Sequence, residues 1–114
     1  MSKKTYLICL LSCWLFSTFA QNLRFHQGQF KIVQFTDLHF QQDNPASKQA
    51  TECIKEIISS EKPDLIVVTG DIVYSTPGKT ALQTVLNIFK EEKKPFCMLF
   101  GNHDPEQGTP LDPL

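Results

Sequence analysis

From Phe30 onward the chain alternates between short apolar runs and longer amphipathic stretches. Phe30-Lys31-Ile32-Val33-Gln34-Phe35 is rich in β-branched and aromatic residues, the composition of a strand. Asn44-Pro45 then marks a helix start, because Asn caps exposed N–H groups and Pro suits the first helical position. Behind it Ala50, Cys53, Ile54, Ile57 and Ile58 recur at helical spacing on one face, with Lys48, Glu52, Lys55 and Glu56 on the other. Lys62-Pro63 ends that helix. Leu65-Ile66-Val67-Val68 is wholly apolar between turn residues, the pattern of a strand covered on both faces of a parallel sheet. Thr76-Pro77 or Thr80 opens a second helix whose apolar positions are Leu82, Val85, Leu86 and Phe89, and Lys94-Pro95 stops it. Phe96-Cys97-Met98-Leu99-Phe100 is the third strand.

The predicted order is β-α-β-α-β, an α/β fold with a parallel sheet, since crossovers of this length return the chain in the same direction and with a right-handed turn. After Gly101 the alternation stops, and Pro105, Gly108, Pro110 and Pro113 make the remainder a loop. Three parallel strands leave two open sheet edges, an uncomfortable end-point for an independent domain, so the chain is expected to be cut short.

The segment ahead of the first strand is not read as fold. Lys3 and Lys4 precede an apolar run from Tyr6 to Phe19, and Thr18-Phe19-Ala20 offers small residues where a signal peptidase cuts. The run is short of the roughly 20 residues a membrane-spanning helix needs. The expectation is a cleaved signal over residues 1–20, a lead-in over 21–29, the folded part over 30–107 and a loop over 108–114. A retained anchor and a lipoprotein signal at Cys13 are the alternatives. The chain would then be exported, outside the cytoplasm, with no stable membrane span.

The net charge of −1 becomes more negative once Lys3 and Lys4 are removed, and no basic cluster marks a nucleic-acid partner. Of the 4 cysteines, Cys9 and Cys13 leave with the signal. Cys53 and Cys97 each sit in an apolar segment and are expected as buried thiols, with a disulfide between them as the alternative. The oligomeric state is left open.

The chemistry-bearing residues follow the predicted strands. Strand one runs into Thr36-Asp37-Leu38-His39, strand two into Gly70-Asp71, and strand three into Gly101-Asn102-His103-Asp104. Carboxyl ends of parallel strands form the ligand crevice, so these residues should converge. Asp37 and His39, at i and i+2, would point the same way in extended chain and grip one ion. Asp71 offers two oxygens to two neighbouring ions, and Asn102 a neutral carbonyl suited to a hard or borderline metal. Gly70 and Gly101 allow a sharp turn or a close approach. Each piece alone is commonplace. Three at successive strand ends make a metal site the expected reading.

As an ordered set, Asp37-x-His39, Gly70-Asp71 and Gly101-Asn102-His103-Asp104 resemble the first motifs of the calcineurin-like metallophosphoesterases, over roughly Phe30 to Gln107. The resemblance implies the first half of a β-sandwich flanked by helices. It also implies two metal ions, divalent or mixed-valence and of the Mn, Fe or Zn kind, acting on a phosphate ester. Asp37 and His39 would hold the first ion, Asp71 would bridge, and Asn102 would hold the second. His103 would protonate the leaving group, and Asp104 would support the orientation of His103. Ions about 3.5–4 Å apart would activate a bridging water for in-line attack on a phosphomonoester or phosphodiester. Lys31 and Lys79 are candidates for attracting phosphate.

Two departures matter. Tyr74 stands where the family usually carries another Asp or Asn three residues after the bridging Asp. Gly-Asp-x-x-Tyr resembles the purple acid phosphatases, whose tyrosine binds ferric iron but which lack the first-motif histidine. With His39 present, His39 is expected to ligate and Tyr74 to line the pocket. The stretch as a whole resembles most the purple-acid-phosphatase-like branch that carries this histidine. Second, the family's later histidine ligands have no counterpart after Asp104, and His26, ahead of the first strand, reads as surface. A non-catalytic exported metal-binding fragment is therefore the competing class. A nucleotide-binding sheet is disfavoured, since the first strand-to-helix turn has no Gly-x-Gly-x-x-Gly.

Overall fold

A computed structural model describes residues 23–108; the predicted signal over residues 1–20 and most of the predicted closing loop lie outside the described residues. The elements run β1 (Ile32–Phe35), α1 (Pro45–Glu61), β2 (Leu65–Thr69), α2 (Gly78–Glu91) and β3 (Phe96–Leu99), followed by a 3-10 turn over Pro105–Gln107. The three strands are parallel in the order β1-β2-β3, with Ile32 beside Leu65 and Ile66 beside Phe96. This is the predicted α/β architecture.

Local signals set the boundaries. The Asn44 side chain accepts from Ala46 N–H at 2.9 Å, which satisfies one of the orphan donors at the start of α1. Lys62 ends that helix in the left-handed region, its N–H bonded to Ile58 O at 2.9 Å, and Pro63 prevents continuation. In α2 the buried positions are Ala81, Leu82, Val85, Ile88 and Phe89, and Leu86 is half-buried.

Strands laid down one after another in one direction, each reached by a right-handed crossover, put both helices on the same side of the sheet. The core is accordingly one cluster in which Ile54 and Ile58 of α1 meet Ile66 and Val68 of β2 and Leu82, Val85 and Phe89 of α2. The Phe89 ring lies 5.9 Å from that of Phe35 and 5.8 Å from that of Phe96, spanning the sheet from β1 to β3.

The same topology corrects two expectations. β2 is not covered on both faces: Ile66 and Val68 are fully buried, but Leu65 and Val67 are half-buried, and Ile32 and Leu99 on the flanking strands are exposed. The apolar face of α1 is also narrower than its periodicity implied. Ser47, Ile54 and Ile58 are buried, whereas Ala50, Cys53 and Ile57 are exposed, because the helix rests on a single sheet face and, among the described residues, nothing packs on that flank. Among the described residues Cys53 and Cys97 are free and exposed, Cys53 on the outer flank of α1 and Cys97 on the open side of β3, so neither is a buried thiol.

The amino-terminal end of the sheet is closed by Asp64. Its carboxylate accepts from Lys31 N–H at 2.7 Å and lies 2.8 Å from His26 Nδ1. Lys31 Nζ is tied to Glu61 O at 2.9 Å and to Glu61 Oε2 at 3.1 Å. Lys31 therefore sits at the sheet end opposite the motif loops, which removes it as a candidate for attracting phosphate there.

The Lys31 N–H, opposed by partial burial and helped by His26, holds the Asp64 pKa below its ordinary 3.8. A depressed folded-state pKa stabilises above the unfolded value, and that contribution is lost as pH falls through the folded one. Asp64→Asn is expected to lower the urea midpoint at neutral pH. It is also expected to flatten the acid limb as pH falls through the folded-state pKa of Asp64, with wild type and variant converging at the acid end.

Candidate metal centre

Beyond the regular strands the parallel pairing continues into the motif loops. Asp37 N–H donates to Gly70 O at 3.2 Å, His39 N–H to Asp71 O at 2.9 Å and Phe40 N–H to Ile72 O at 2.9 Å, while Tyr74 N–H returns to Phe40 O at 2.9 Å. Asp37, His39 and Asp71 all take positive φ, at 53°, 42° and 49°. The expectation that Asp37 and His39 converge by the alternation of extended chain is thus corrected: left-handed kinks turn them in. Asp and His tolerate that region better than most residues, and such conformations concentrate at functional sites.

These kinks gather one ligand atom each from Asp37, His39 and Asp71 within 4.8 Å of one another. His39 Nε2 is 3.7 Å from Asp71 Oδ2. Asp37 and His39 are open to solvent, and Asp71 is more sheltered. The Thr36 hydroxyl lies 2.6 Å from Asp37 Oδ2 and 2.7 Å from Thr69 O, which fixes the carboxylate against the end of β2.

The third loop packs directly on the second. A Cβ on Gly70 would stand 3.0 Å from Gly101 Cα, and one on Gly101 would collide with Asp71 Oδ1 and lie 2.5 Å from Asp71 N. Glycine is required here for close approach, as its sequence position implied. His103 N–H donates to Asp71 Oδ1 at 3.0 Å. That bond is the chief reason the Asp71 pKa is lowered, with partial burial opposing it and the charges of His103 and His39 adding to it. Asp71 is held ionised, the state a metal ligand needs. Asn102, between Gly101 and His103 in the chain, is exposed.

Asp104 is fully buried, and it does not do what was expected of it. Its Oδ1 accepts from Ile72 N–H at 2.7 Å and Val73 N–H at 2.9 Å, and its Oδ2 from Gly101 N–H at 2.7 Å. It ties the third loop to the second through their backbones. The His103 ring is partnered instead by Glu106, with Nδ1 and Oε2 2.8 Å apart, and this carboxylate raises the His103 pKa above its usual value. Sequence reasoning missed Glu106. The signal was its i,i+3 spacing from His103 across Asp104-Pro105, where a turn folds the two side chains to one side.

The Tyr74 ring completes the wall, 5.7 Å from His39 and 6.1 Å from His103, and the two imidazoles are 5.9 Å apart. His26 lies at the other end of the sheet on Asp64, on the surface as expected. A separate groove of about 580 Å³ is lined by Phe40, Asn44, Lys48 and Thr84 among others, and none of the three converging donors contributes to it. Among the described residues no helix is long and apolar enough to cross a membrane.

A carboxylate that satisfies two buried N–H groups and a partly buried third leaves them unpaired when removed, and each buried one costs about 1–3 kcal/mol. Asp104→Asn turns an amide N–H₂ toward a donor. It is expected to destabilise the chain by about 3 kcal/mol in urea denaturation.

Comparison with known proteins was made against this geometry. The family model for calcineurin-like phosphoesterases matches residues 30–113. A protein of Arabidopsis thaliana named "Probable inactive purple acid phosphatase 29" is 36% identical over 104 residues, covering 75% of this chain and 27% of its own length. A Bacillus subtilis protein named "Uncharacterized metallophosphoesterase YkuE" is 38% identical over 77 residues, covering 66% of this chain and 26% of its own. A Psychrobacter arcticus protein named "Probable cyclic nucleotide phosphodiesterase" is 33% identical, covering 75% of this chain and 35% of its own. The chain thus spans about a quarter to a third of the length of these relatives. No solved structure matches it significantly. With all three strand-end motifs inside the matched span, the chain belongs to the calcineurin-like phosphoesterase family.

Proposed function

We propose that this domain contributes to metal-dependent hydrolysis of a phosphomonoester or phosphodiester at a dinuclear site. The observation that carries the reading is the convergence of Asp37, His39 and Asp71 at the carboxyl ends of adjacent strands, on kinked backbone. The donor set fits a metal. Two carboxylates and an imidazole suit Mn, Fe or Zn, and Asp71 is kept ionised by the His103 N–H. In this reading Asp37 and His39 would hold one ion, Asn102 the second, and Asp71 would serve both. When bound, such ions lower the pKa of water and offset charge on phosphate oxygens.

The remaining roles belong to the chain itself. His103, protonated more readily because Glu106 sits on Nδ1, gives a proton to the leaving oxygen. Tyr74 and the two imidazoles form the wall against which the ester lies. Asp104 and the Gly70–Gly101 contact keep the second and third loops in register. The names of the Bacillus and Psychrobacter relatives support a hydrolase acting on phosphate esters. The name of the Arabidopsis relative favours the second reading, a domain that binds metal without turnover.

Titration of the chain with Mn²⁺ or Zn²⁺, followed by assay on p-nitrophenyl phosphate and its bis ester, separates the two. Binding with turnover supports the first reading, binding alone the second, and neither rejects both. Asp71→Asn is expected to abolish binding. Gly101→Ala, which keeps every donor but collides with Asp71, is expected to weaken it about 10–100-fold. We also propose export through residues 1–20. Amino-terminal sequencing of the protein recovered outside the cytoplasm should begin at Gln21, and a sequence still beginning at Met1 would overturn the cleavage.

A further inference from the structure

We infer that Glu106 is the positioning residue for His103: it accepts a hydrogen bond from Nδ1–H and so leaves Nε2 as the nitrogen that exchanges a proton with substrate. The catalytic half of this statement rests on the hydrolytic reading above; the tautomer half does not. The position where the family usually places a further Asp or Asn, three residues after the bridging Asp, is Tyr74 here, and its ring stands 6.1 Å from that of His103 without supplying a carboxylate. Among the described residues, the carboxylate on the His103 ring is Glu106, 2.8 Å away.

Two half-exposed side chains at i and i+3 would ordinarily form a weak, wandering pair. Here both backbones are fixed. His103 N–H is bonded to Asp71 Oδ1 at 3.0 Å, which holds the start of the turn. Asp104, between the two partners, is fully buried and bonded to three backbone N–H groups. Pro105 then locks φ, Gln107 N–H returns to Asp104 O at 3.3 Å, and Gly108 closes the turn in the left-handed region. Glu106 is thus presented to the imidazole by a turn whose root is bonded to the neighbouring loop. A carboxylate on one ring nitrogen fixes the tautomer and the orientation of the other.

In the reaction, water supplies the oxygen that joins phosphorus. The bond from phosphorus to the leaving oxygen breaks with its electron pair on that oxygen. The proton of His103 Nε2 passes to it, one proton of the attacking water leaves to solvent and the other stays on the phosphate product. Neutral His103 remains with Nδ1–H donating to Glu106, and regains its Nε2 proton from solvent.

The test is long-range ¹H–¹⁵N spectroscopy of the neutral imidazole in the full metal-free chain, with the His103 signal assigned by its loss in His103→Gln. Wild type is expected to hold the Nδ1–H tautomer. Glu106→Ala should shift the tautomer ratio about tenfold toward Nε2–H, as loss of one charge-assisted bond predicts. Glu106→Gln, whose amide oxygen still accepts, should retain most of the Nδ1–H form. An unchanged ratio in Glu106→Ala overturns the proposal. With metal added, Glu106→Ala should lower kcat about tenfold at constant KM, and more for an alkyl phosphate than for p-nitrophenyl phosphate. An equal loss on both esters overturns the proton-donor role. A tautomer that responds to Glu106 in a chain without any turnover upholds the pair and rejects the hydrolytic reading instead.

Discussion

The carboxylate of Asp104 is the constraint on which the site depends. A charged group fully excluded from solvent is tolerated only when its oxygens are fully bonded. Asp104 meets that condition with the N–H groups of Ile72, Val73 and Gly101. Those donors belong to two different loops, so the condition can be met only when the loops after β2 and β3 are docked. Docking brings Gly101 onto Gly70, closes His103 N–H on Asp71 and thereby sets both the ionisation and the aim of the central carboxylate. A single buried side chain ties two turns into one platform.

Topology decides what that platform rests on. With the strands in order β1-β2-β3 and both helices on one side, all the packing is concentrated on one sheet face, around Phe89, Ile66 and Val68. The other face, with Ile32, Val67 and Leu99, is left open or half-covered. The carboxyl ends of the strands are anchored nonetheless, because the pairing between β1 and β2 runs on through Phe40 and Val73 into the motif loops. Rigidity at the site comes from this extended ladder and from Asp104 more than from depth of burial.

Much of this was legible in the sequence. The β-α-β-α-β order, the Asn44 cap, the Lys-Pro stops and the convergence of Asp37, His39 and Asp71 all follow from local pattern, because each depends on residues close together in the chain or on a strand-end rule. What was not legible depends on neighbours. Cys53 and Ile57 are apolar at helical spacing, yet exposed, because periodicity reports which face could be buried and not whether anything lies there. Val67 reads as a buried strand residue, but its burial needs a layer on the second face. Asp104 was expected to serve the adjacent His103. Its actual partners lie 32, 31 and 3 residues away, a contact pattern that no linear motif encodes.

The backbone at the donors shows why the motif residues are of these types. Three successive candidate ligands take left-handed φ, a conformation that costs a residue with a Cβ of order 1 kcal/mol or more and that Asp and His bear better than branched side chains. The kinks are held by main-chain bonds on either side, from Asp37 to Gly70, from His39 to Asp71 and from Phe40 to Ile72. Relaxing any one of them toward extended geometry would re-aim its side chain away from the other donors. The strained conformation is therefore what places an imidazole between β1 and the Asp71 carboxylate, with the Tyr74 ring packed against it. Ladder, kink and buried carboxylate act together: the first two aim the donors, and the third keeps the neighbouring loop, with His103 and Glu106 on it, in register with them.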